Sequence, residues 1–227
     1  MLNRNREVFI VGGGPSLQGF DFSKLKDKDT IAINVSALDV PEPTYCITAD
    51  SNIFRKVQEG YFKNVKTTWV MVTNLKHPVM KWRDGRFEHV DTKFVYNLFC
   101  VDMLIRSAEI KGIGFSFNDF RTGYNSGFCA FQLAVLLGYE KIYLLGIDLT
   151  CAPKRTHYHD RYGNRSISKS AFRKFFNNFV SALKVIKEQT NIKIVSCSDI
   201  SKLNKYIPYQ SFDELDNETR INRNGIS

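Results

Sequence analysis

The sequence predicts an α/β fold with a Rossmann-like, mostly parallel sheet flanked by helices, and two neighbouring segments carry this prediction. The run SGFCAFQLAVLL, residues 126–137, is apolar nearly all round, which indicates a buried helix that Asn125 or Ser126 can cap and Gly138 can end. KIYLLGID follows, a continuous apolar run typical of a parallel strand covered on both faces, and it closes on Asp148. Ligands of such folds bind at helix N-termini and beyond the carboxyl ends of strands.

Three earlier apolar runs, at residues 6–14, 30–35 and 45–48, are predicted to be strands that also end in glycine or polar residues. Glycines allow backbone N–H groups to approach an anionic ligand, and a following Pro-Ser favours a helix start. Taken alone, GGGPS is equally typical of a tight turn without ligand, and Asn34 of a turn or capped helix start. Because glycine or polar residues recur at the ends of several predicted strands, we expect these strand ends to line one ligand-binding crevice. Its predicted members at these ends are Gly12, Gly13, Gly14, Ser16, Asn34, Asp50 and Asp148.

The other elements are assigned from periodicity and composition. We expect helices at 54–61 and 168–189, strands at 67–73 and 192–197, a polar irregular stretch at 76–93, a strand or apolar helix within 94–107, and a ligand-covering loop at 111–118. A single domain is predicted to span residues 1–215, followed by a loosely ordered tail at 216–227.

Composition narrows the class of protein. The chain has 227 residues, 43% of them hydrophobic, but no apolar run near the roughly 20 residues of a membrane span and no cleavable signal pattern. A cytoplasmic protein without a membrane span is expected. Five cysteines without a CxxC pair indicate reduced thiols rather than disulfides. The net charge of +9 fits a polyanionic partner or a phosphorylated small substrate.

Most of the positive charge lies in one segment. Residues 154–174 contain seven Lys and Arg residues against Asp160, so seven minus one leaves six of the nine net charges there. We assign Lys154, Arg155 and Arg161 to acceptor or phosphate binding, whereas Arg173 and Lys174 are more typical of a solvated helix face.

Four segments together resemble the bacterial sialyltransferases that use CMP-sialic acid. They are VFIVGGGPSL, NSGFCAFQLAVLLGYEKIYLLGID, the histidine pair of HYHD, and IKIVSCSDISKL, within residues 8–205. The chain also resembles the wider set of phage and bacterial proteins with that fold, including 6-hydroxymethylpterin pyrophosphokinase-like proteins. The resemblance implies transfer of a sugar from a nucleotide-sugar donor, and a lid after the strand that ends at Asp148.

The resemblance also implies roles for individual residues. Ser126, Gly127 and Asn34 match donor-binding positions, whereas Gly13 and Asp50 stand where those enzymes have asparagines. Asn125, at the start of the same helix, is expected to bind the donor as well. The catalytic base of the family is a lid histidine, which here implies His157 or His159. Tyr158 and Tyr162 match lid tyrosines that hold the leaving phosphate.

Several functions stay open at this point. We expect a metal-independent transferase without a cofactor, because no carboxylate pair of the D-x-D kind stands among these strand ends and HYHD is incomplete as a zinc site. The acceptor is expected to be an anionic glycan or, alternatively, DNA with hydroxymethylated bases. A pyrophosphokinase would instead need magnesium, held by Asp50 and Asp148. A non-catalytic nucleotide- or nucleic-acid-binding module is the third alternative.

Overall fold

The computed structural model describes residues 6–74, 79–83, 86–90, 102–150, 156–162 and 167–217. Within them, seven parallel strands form one sheet in the order β7-β4-β3-β2-β1-β8-β9. These strands are β1 (Glu7–Val11), β2 (Thr30–Ile33), β3 (Tyr45–Thr48), β4 (Thr68–Asn74), β7 (Met103–Ser107), β8 (Lys141–Leu145) and β9 (Lys193–Ser196). The predicted α/β class is confirmed.

Besides a short helical segment at residues 212–217, the described residues contain three α-helices: α1 (Ser51–Gln58), α2 (Ser126–Leu136) and α3 (Lys169–Gln189). Asn125 caps α2, because its Oδ1 accepts a hydrogen bond from the Phe128 N–H at 2.9 Å. Ser168 caps α3 in the same way, with its Oγ accepting from the Ala171 N–H at 3.2 Å. Among the described residues, no helix is both long and apolar enough to cross a membrane.

The sheet is covered on both faces, as the apolar runs predicted. Val8 and Ile10 of β1 pack in one cluster of buried side chains with Phe131 of α2 and Phe179 of α3. Phe9 and Val11 of the same strand belong to a second buried cluster on the other face of the sheet, because successive side chains of a strand point to opposite faces. Parallel strands buried on both faces place only their ends in contact with solvent, so binding groups collect at those ends.

Two of the differences between predicted and observed boundaries have a clear physical cause. β2 ends at Ile33 because Asn34 adopts a left-handed φ of 56° and begins a short 3-10 helix, Asn34–Leu38. α1 begins three residues earlier than predicted, because the Asp50 carboxylate accepts a hydrogen bond from the Asn52 N–H at 2.8 Å and so caps the helix.

The prediction of an irregular stretch at 76–93 is wrong for residues 79–83 and 86–90. They form β5 (Val79–Arg83) and β6 (Arg86–Val90), an antiparallel pair separate from the main sheet. The dipeptide Asp84-Gly85 between them is a hairpin signal. Within 94–107 the described strand is Met103–Ser107, and the remainder to residue 101 lies outside the described residues. Residues 212–217 are helical, so helix continues past residue 215.

Candidate active site

A cavity of about 150 Å3 opens at the carboxyl edge of the sheet, beside the ends of β1 and β8. The strand order reverses at this point: β2, β3, β4 and β7 succeed one another on one side of β1, and β8 and β9 lie on the other. A reversal of this kind is where open α/β sheets bind ligands. The predicted residues in the cavity wall are Gly12, Gly13, Gly14, Asn34, Asn125, Ser126, Gly127, Asp148, His157 and Tyr162.

The other predicted site residues have different positions. Ser16, Asp50, Tyr158, His159 and Arg161 are described but do not line the cavity. Lys154 and Arg155 lie outside the described residues. The loop at 111–118 was predicted to cover a ligand, yet none of its residues lines the cavity, and the Gly112 N–H donates to Asn178 Oδ1 of α3 at 2.9 Å.

The glycine loop packs closely against the turn after β8. The Gly12 N–H donates to the Leu145 carbonyl at 2.8 Å, and the Gly14 N–H donates to the Gly146 carbonyl at 2.9 Å. A Cβ at Gly14 would lie 2.6 Å from the Gly146 oxygen, so this contact needs glycine. Among the described residues no acceptor faces the Gly13 N–H, which leaves this amide available to a ligand.

Asp148 ties the glycine loop to the end of β8. Its Oδ1 accepts from Ser16 Oγ at 2.6 Å and its Oδ2 from the Ser16 N–H at 2.8 Å, and the residue is 2% exposed. Both carboxylate oxygens are therefore engaged within the protein. This arrangement gives Ser16 and Asp148 a structural role beside the cavity.

Asn34 presents an unpaired oxygen at the cavity. Its side-chain Oδ1 is buried and has no hydrogen-bond partner among the described residues, although a buried acceptor without one is unfavourable. The residue follows β2 directly and has a left-handed φ of 56°. A ligand that donates a hydrogen bond to Asn34 would remove the deficit.

The N-terminus of α2 forms another part of the cavity wall. The first N–H groups of a helix have no acceptor within the helix, and the helix dipole favours an anion there. Ser126 is 8% exposed, and its Oγ accepts from the Ala49 N–H at 2.9 Å, which fixes the start of α2 against the end of β3. Gly127 follows in the wall, so the N–H groups at this terminus are placed to meet a phosphate.

His157 packs against the glycine loop and lines the cavity. A Cβ at Gly13 would lie 3.0 Å from His157 Cδ2 and 3.9 Å from its Nε2, so the imidazole occupies the space that a side chain at position 13 would need. Its Nδ1 lies 2.9 Å from Thr156 Oγ1. If Nδ1–H donates to Thr156, the Nε2 carries the lone pair that a general base uses. Burial lowers the pKa of His157, which keeps the ring neutral at pH 7.

His159 lies beside His157, with the ring centroids 5.6 Å apart, and its Nε2 would lie 3.8 Å from a Cβ at Gly13. Its Nδ1 accepts from the Arg161 N–H at 3.3 Å, so the proton of the neutral ring is on Nε2, a buried atom without a partner in the described residues. Burial, assisted by His157 and Arg161, lowers its pKa to about 4. An imidazole with its only lone pair already engaged is a poor general base.

Tyr158 and Arg161 both bind Asp39, a residue that the sequence did not single out. The Tyr158 hydroxyl donates to Asp39 Oδ2 at 2.6 Å, and the Arg161 guanidinium contacts both oxygens, with Nη2 2.7 Å from Oδ1. Burial opposes ionisation of Asp39, but these donors outweigh it and lower the pKa of the carboxyl. Tyr162, from the same segment, does line the cavity, and burial raises its pKa to about 12.

Unusual backbone conformations surround the cavity. Besides Asn34, the non-glycine residues Tyr124 and Leu149 have φ values of 70° and 52°. Leu149 lines the cavity, and Tyr124 directly precedes the wall residue Asn125. Left-handed backbone at non-glycine residues costs energy and is concentrated at functional sites, which supports this assignment.

The amino edge of the sheet, opposite the glycine loop, has a second cavity with different lining residues. A larger cavity of about 460 Å3 lies there, lined in part by Tyr139, Lys141 and Lys193 at the amino ends of β8 and β9. The sequence does contain one D-x-D, Asp27-Lys28-Asp29, and it also lies at this edge, where Asp29 Oδ2 accepts from the Tyr139 hydroxyl at 3.1 Å. Within the described residues, no group of three or more His, Cys, Asp or Glu side chains is placed to hold a metal ion.

Neither a protein-family model nor a curated protein matches the sequence. Solved structures do match. The sialyltransferase CstII from Campylobacter jejuni, in complex with the substrate analogue CMP-3FNeuAc, aligns with a TM-score of 0.56 and 19% identity over 93% of this chain and 88% of the other. The monofunctional α-2,3-sialyltransferase Cst-I from the same organism aligns with a TM-score of 0.54 and 17% identity over 92% of this chain and 82% of the other. The sialyltransferase CST-II in complex with a trisaccharide acceptor and CMP aligns with a TM-score of 0.50 and 18% identity over 89% of this chain and 85% of the other. The chain therefore has a sialyltransferase-like fold.

Proposed function

We propose that this chain is a glycosyltransferase that moves a sugar from a nucleotide-activated donor to an acceptor hydroxyl. The observation that carries the proposal is the position of His157, which packs against Gly13 in a cavity that the N-terminus of α2 also lines. The cavity wall thus offers both a neutral base and N–H donors for a phosphate. The structural neighbours include complexes with CMP-3FNeuAc and with CMP and a trisaccharide acceptor, which supports the same use of this cavity.

In the proposed reaction, His157 Nε2 removes the proton of the acceptor hydroxyl as its oxygen attacks the anomeric carbon. The bond between that carbon and the donor phosphate breaks, and the phosphate leaves with the electron pair. The N–H groups at the start of α2 and the Gly13 N–H would stabilise the negative charge on the departing phosphate. Asn34 Oδ1 would accept a hydrogen bond from the nucleotide-sugar substrate.

His157 is the base in this proposal and His159 is not. Both rings are neutral at pH 7, but only His157 lines the cavity. The Nδ1 of His159 is occupied by the Arg161 N–H, and its Nε2 carries the proton. Loss of a general base costs roughly 10²–10⁴-fold in rate, so the two histidines are distinguishable by substitution.

The proposal includes transfer without a metal. A phosphate can be stabilised by N–H donors alone, and the carboxylates that a magnesium-dependent pyrophosphokinase would use are engaged elsewhere. Asp148 accepts two hydrogen bonds from Ser16, and Asp50 Oδ1 accepts from the N–H and the side chain of Asn52. Asp50 also lies outside the cavity wall.

We further propose an anionic glycan as acceptor. The Arg161 charge is paired with Asp39, so it does not add to the field at the cavity. Other cations of the basic segment remain: Lys174 is on α3 next to the wall residue Phe175, and its Nζ lies 5.9 Å from the Tyr124 ring centre. A cation beside an exposed aromatic ring suits a negatively charged sugar. No contact in the described residues favours DNA instead.

The test is transfer from a panel of CMP-, UDP- and GDP-sugars, with EDTA present, to a sialylated or phosphorylated oligosaccharide, its neutral counterpart, and a hydroxymethylated oligonucleotide. We expect turnover with the charged glycan, a loss of at least about 100-fold for His157→Ala, and less than tenfold for the control His159→Ala. Activity that requires magnesium and ATP would contradict glycosyl transfer. Transfer to the oligonucleotide alone would contradict the glycan acceptor.

A further inference from the structure

The segment that carries both histidines, residues 156–162, contains neither a helix nor a strand. Backbone hydrogen bonds to neighbouring strands therefore do not hold it. The Tyr158 N–H donates to the Gly13 carbonyl at 3.0 Å, and Lys56 Nζ donates to the Arg161 carbonyl at 3.4 Å. A further attachment is needed to fix the direction of the side chains.

Asp39 supplies that attachment from outside the cavity. It follows the short 3-10 helix after β2, so its backbone is fixed to the sheet that also forms the cavity. Its two oxygens accept from the Tyr158 hydroxyl and from both terminal nitrogens of Arg161. A planar guanidinium that binds a carboxylate through two nitrogens fixes orientation as well as distance.

The two residues on Asp39 alternate with residues that face the cavity. Tyr158 and Arg161 bind Asp39, whereas His157 and Tyr162, adjacent to them in the chain, line the wall. A rotation of the segment that released Tyr158 and Arg161 would therefore move His157 away from Gly13. The Asp39 contacts and the position of the base are geometrically linked.

We infer that Asp39, through Arg161 and Tyr158, is the positioning residue that holds His157 over the cavity in the reaction proposed above. Asp39 does not line the cavity and touches neither the base nor the site of the donor. Its effect would appear in turnover and in the order of the segment, with nucleotide affinity largely preserved. This inference rests on the proposed function only for its kinetic consequence, because the order of the segment can be measured without activity.

The chain offers a matched control for the loss of an aspartate–arginine pair. Asp119 also binds an arginine through two nitrogens, with Arg121 Nε and Nη2 each 3.0 Å from its oxygens, and neither residue lines the cavity. Asp119→Ala removes an equivalent interaction at a distance from the histidine segment. Asp39→Asn keeps the shape of the side chain and serves as a second variant should Asp39→Ala fold poorly.

We expect Asp39→Ala and Arg161→Ala each to lower kcat by tenfold or more, since misplacement of a catalytic group by about 1 Å can cost 100-fold. Calorimetric affinity for CMP should change by less than about threefold, and the double variant should be no slower than either single one. Hydrogen exchange of the Tyr158 amide should accelerate at least about tenfold in Asp39→Ala and remain unchanged in Asp119→Ala.

Unchanged Tyr158 exchange in Asp39→Ala would overturn the inference whether or not the wild type transfers sugar. An equal loss of kcat in Asp119→Ala would also overturn it, since the effect would then be general. If the wild type shows no transfer with any sugar nucleotide, the proposed function fails, and the exchange measurement alone decides whether Asp39 orders the histidine segment.

Discussion

The three glycines after β1 are required for different reasons. Gly12 and Gly14 allow the backbone of the loop to lie against the turn after β8, whereas Gly13 leaves space for the His157 ring. A methyl group at position 14 meets a backbone oxygen that cannot move without disturbing β8. A methyl group at position 13 meets a side chain, which can rotate away. Substitutions at these neighbouring positions therefore separate stability from catalysis.

Gly13→Ala should lower kcat by roughly 10- to 100-fold, because a Cβ 3.0 Å from His157 Cδ2 forces the imidazole to shift. Gly14→Ala should instead destabilise the fold by about 1–3 kcal/mol, as overpacking does. Thermal unfolding and steady-state kinetics of the pair would check both results. Full activity of Gly13→Ala would show that His157 does not act from its observed position.

The low pKa of His159 predicts that the folded chain becomes less stable as the pH falls. Its pKa in the folded chain is about 4, below the ordinary value of 6.5, so the unfolded chain binds more protons between these values. Stability contributed by neutral His159 is present above pH 6.5 and is lost as the pH falls towards 4. The groups that face the ring are His157, Tyr158, Tyr162 and Arg161. The Asp39 carboxylate raises the pKa of His159, but it is paired with Arg161, and burial together with the charges of His157 and Arg161 outweighs it.

The variant His159→Asn should therefore lose less thermal stability than the wild type when the pH is lowered from 7 to about 4.5. Melting temperatures at several pH values, measured for both proteins in the same buffers, provide the check. Parallel curves for the two proteins would mean that His159 is protonated equally in the folded and unfolded chains.

At the scale of single elements, the sequence was informative where burial repeats over many residues. The apolar α2 and β8 were placed correctly because an all-round apolar helix and a run of four buried strand residues have few alternatives. The direction of side chains within turns could not be predicted in this way. Tyr158 and Arg161 point to Asp39 while His157 points to the cavity, and no periodicity distinguishes neighbours within a turn.

The N-cap of α2 should be more important to ligand binding than that of α3. Asn125→Ala removes the acceptor for the Phe128 N–H, and Ser168→Ala removes the acceptor for the Ala171 N–H, so each should cost about 1 kcal/mol of stability. Only Asn125 lines the cavity and orients the first N–H groups of α2. We expect weaker nucleotide binding in calorimetry for Asn125→Ala alone. An equal loss of affinity in Ser168→Ala would remove α2 as the phosphate site.

At the scale of the whole molecule, strand order determines which predicted residues meet. Gly13 and Asp148 follow adjacent strands, β1 and β8, that are more than a hundred residues apart in the chain. Asp50 follows β3, which β2 separates from β1, and it caps α1 outside the cavity wall. The sequence predicted that strand ends would form a crevice, but the neighbour of each strand is a property of the assembled sheet and is not encoded in any single segment.

Because the cavity joins loops from both sides of the reversal in strand order, a bound nucleotide should stabilise the entire fold. A ligand at 100 times its dissociation constant adds about 2.7 kcal/mol. For a chain of this length each kcal/mol raises the melting temperature by roughly 2–4 °C, which gives a shift of about 5–10 °C. We expect such a shift with CMP, UDP or GDP in the presence of EDTA.

The same measurement on Asn34→Gly tests where the nucleotide binds. Glycine tolerates the left-handed backbone at position 34, so this variant removes the buried Oδ1 without adding strain. The shift should shrink, since the loss of one hydrogen bond costs about 0.5–1.5 kcal/mol of ligand binding. A shift that appears only with ADP and magnesium, and is equal in Asn34→Gly, would favour the pyrophosphokinase alternative and a site away from Asn34.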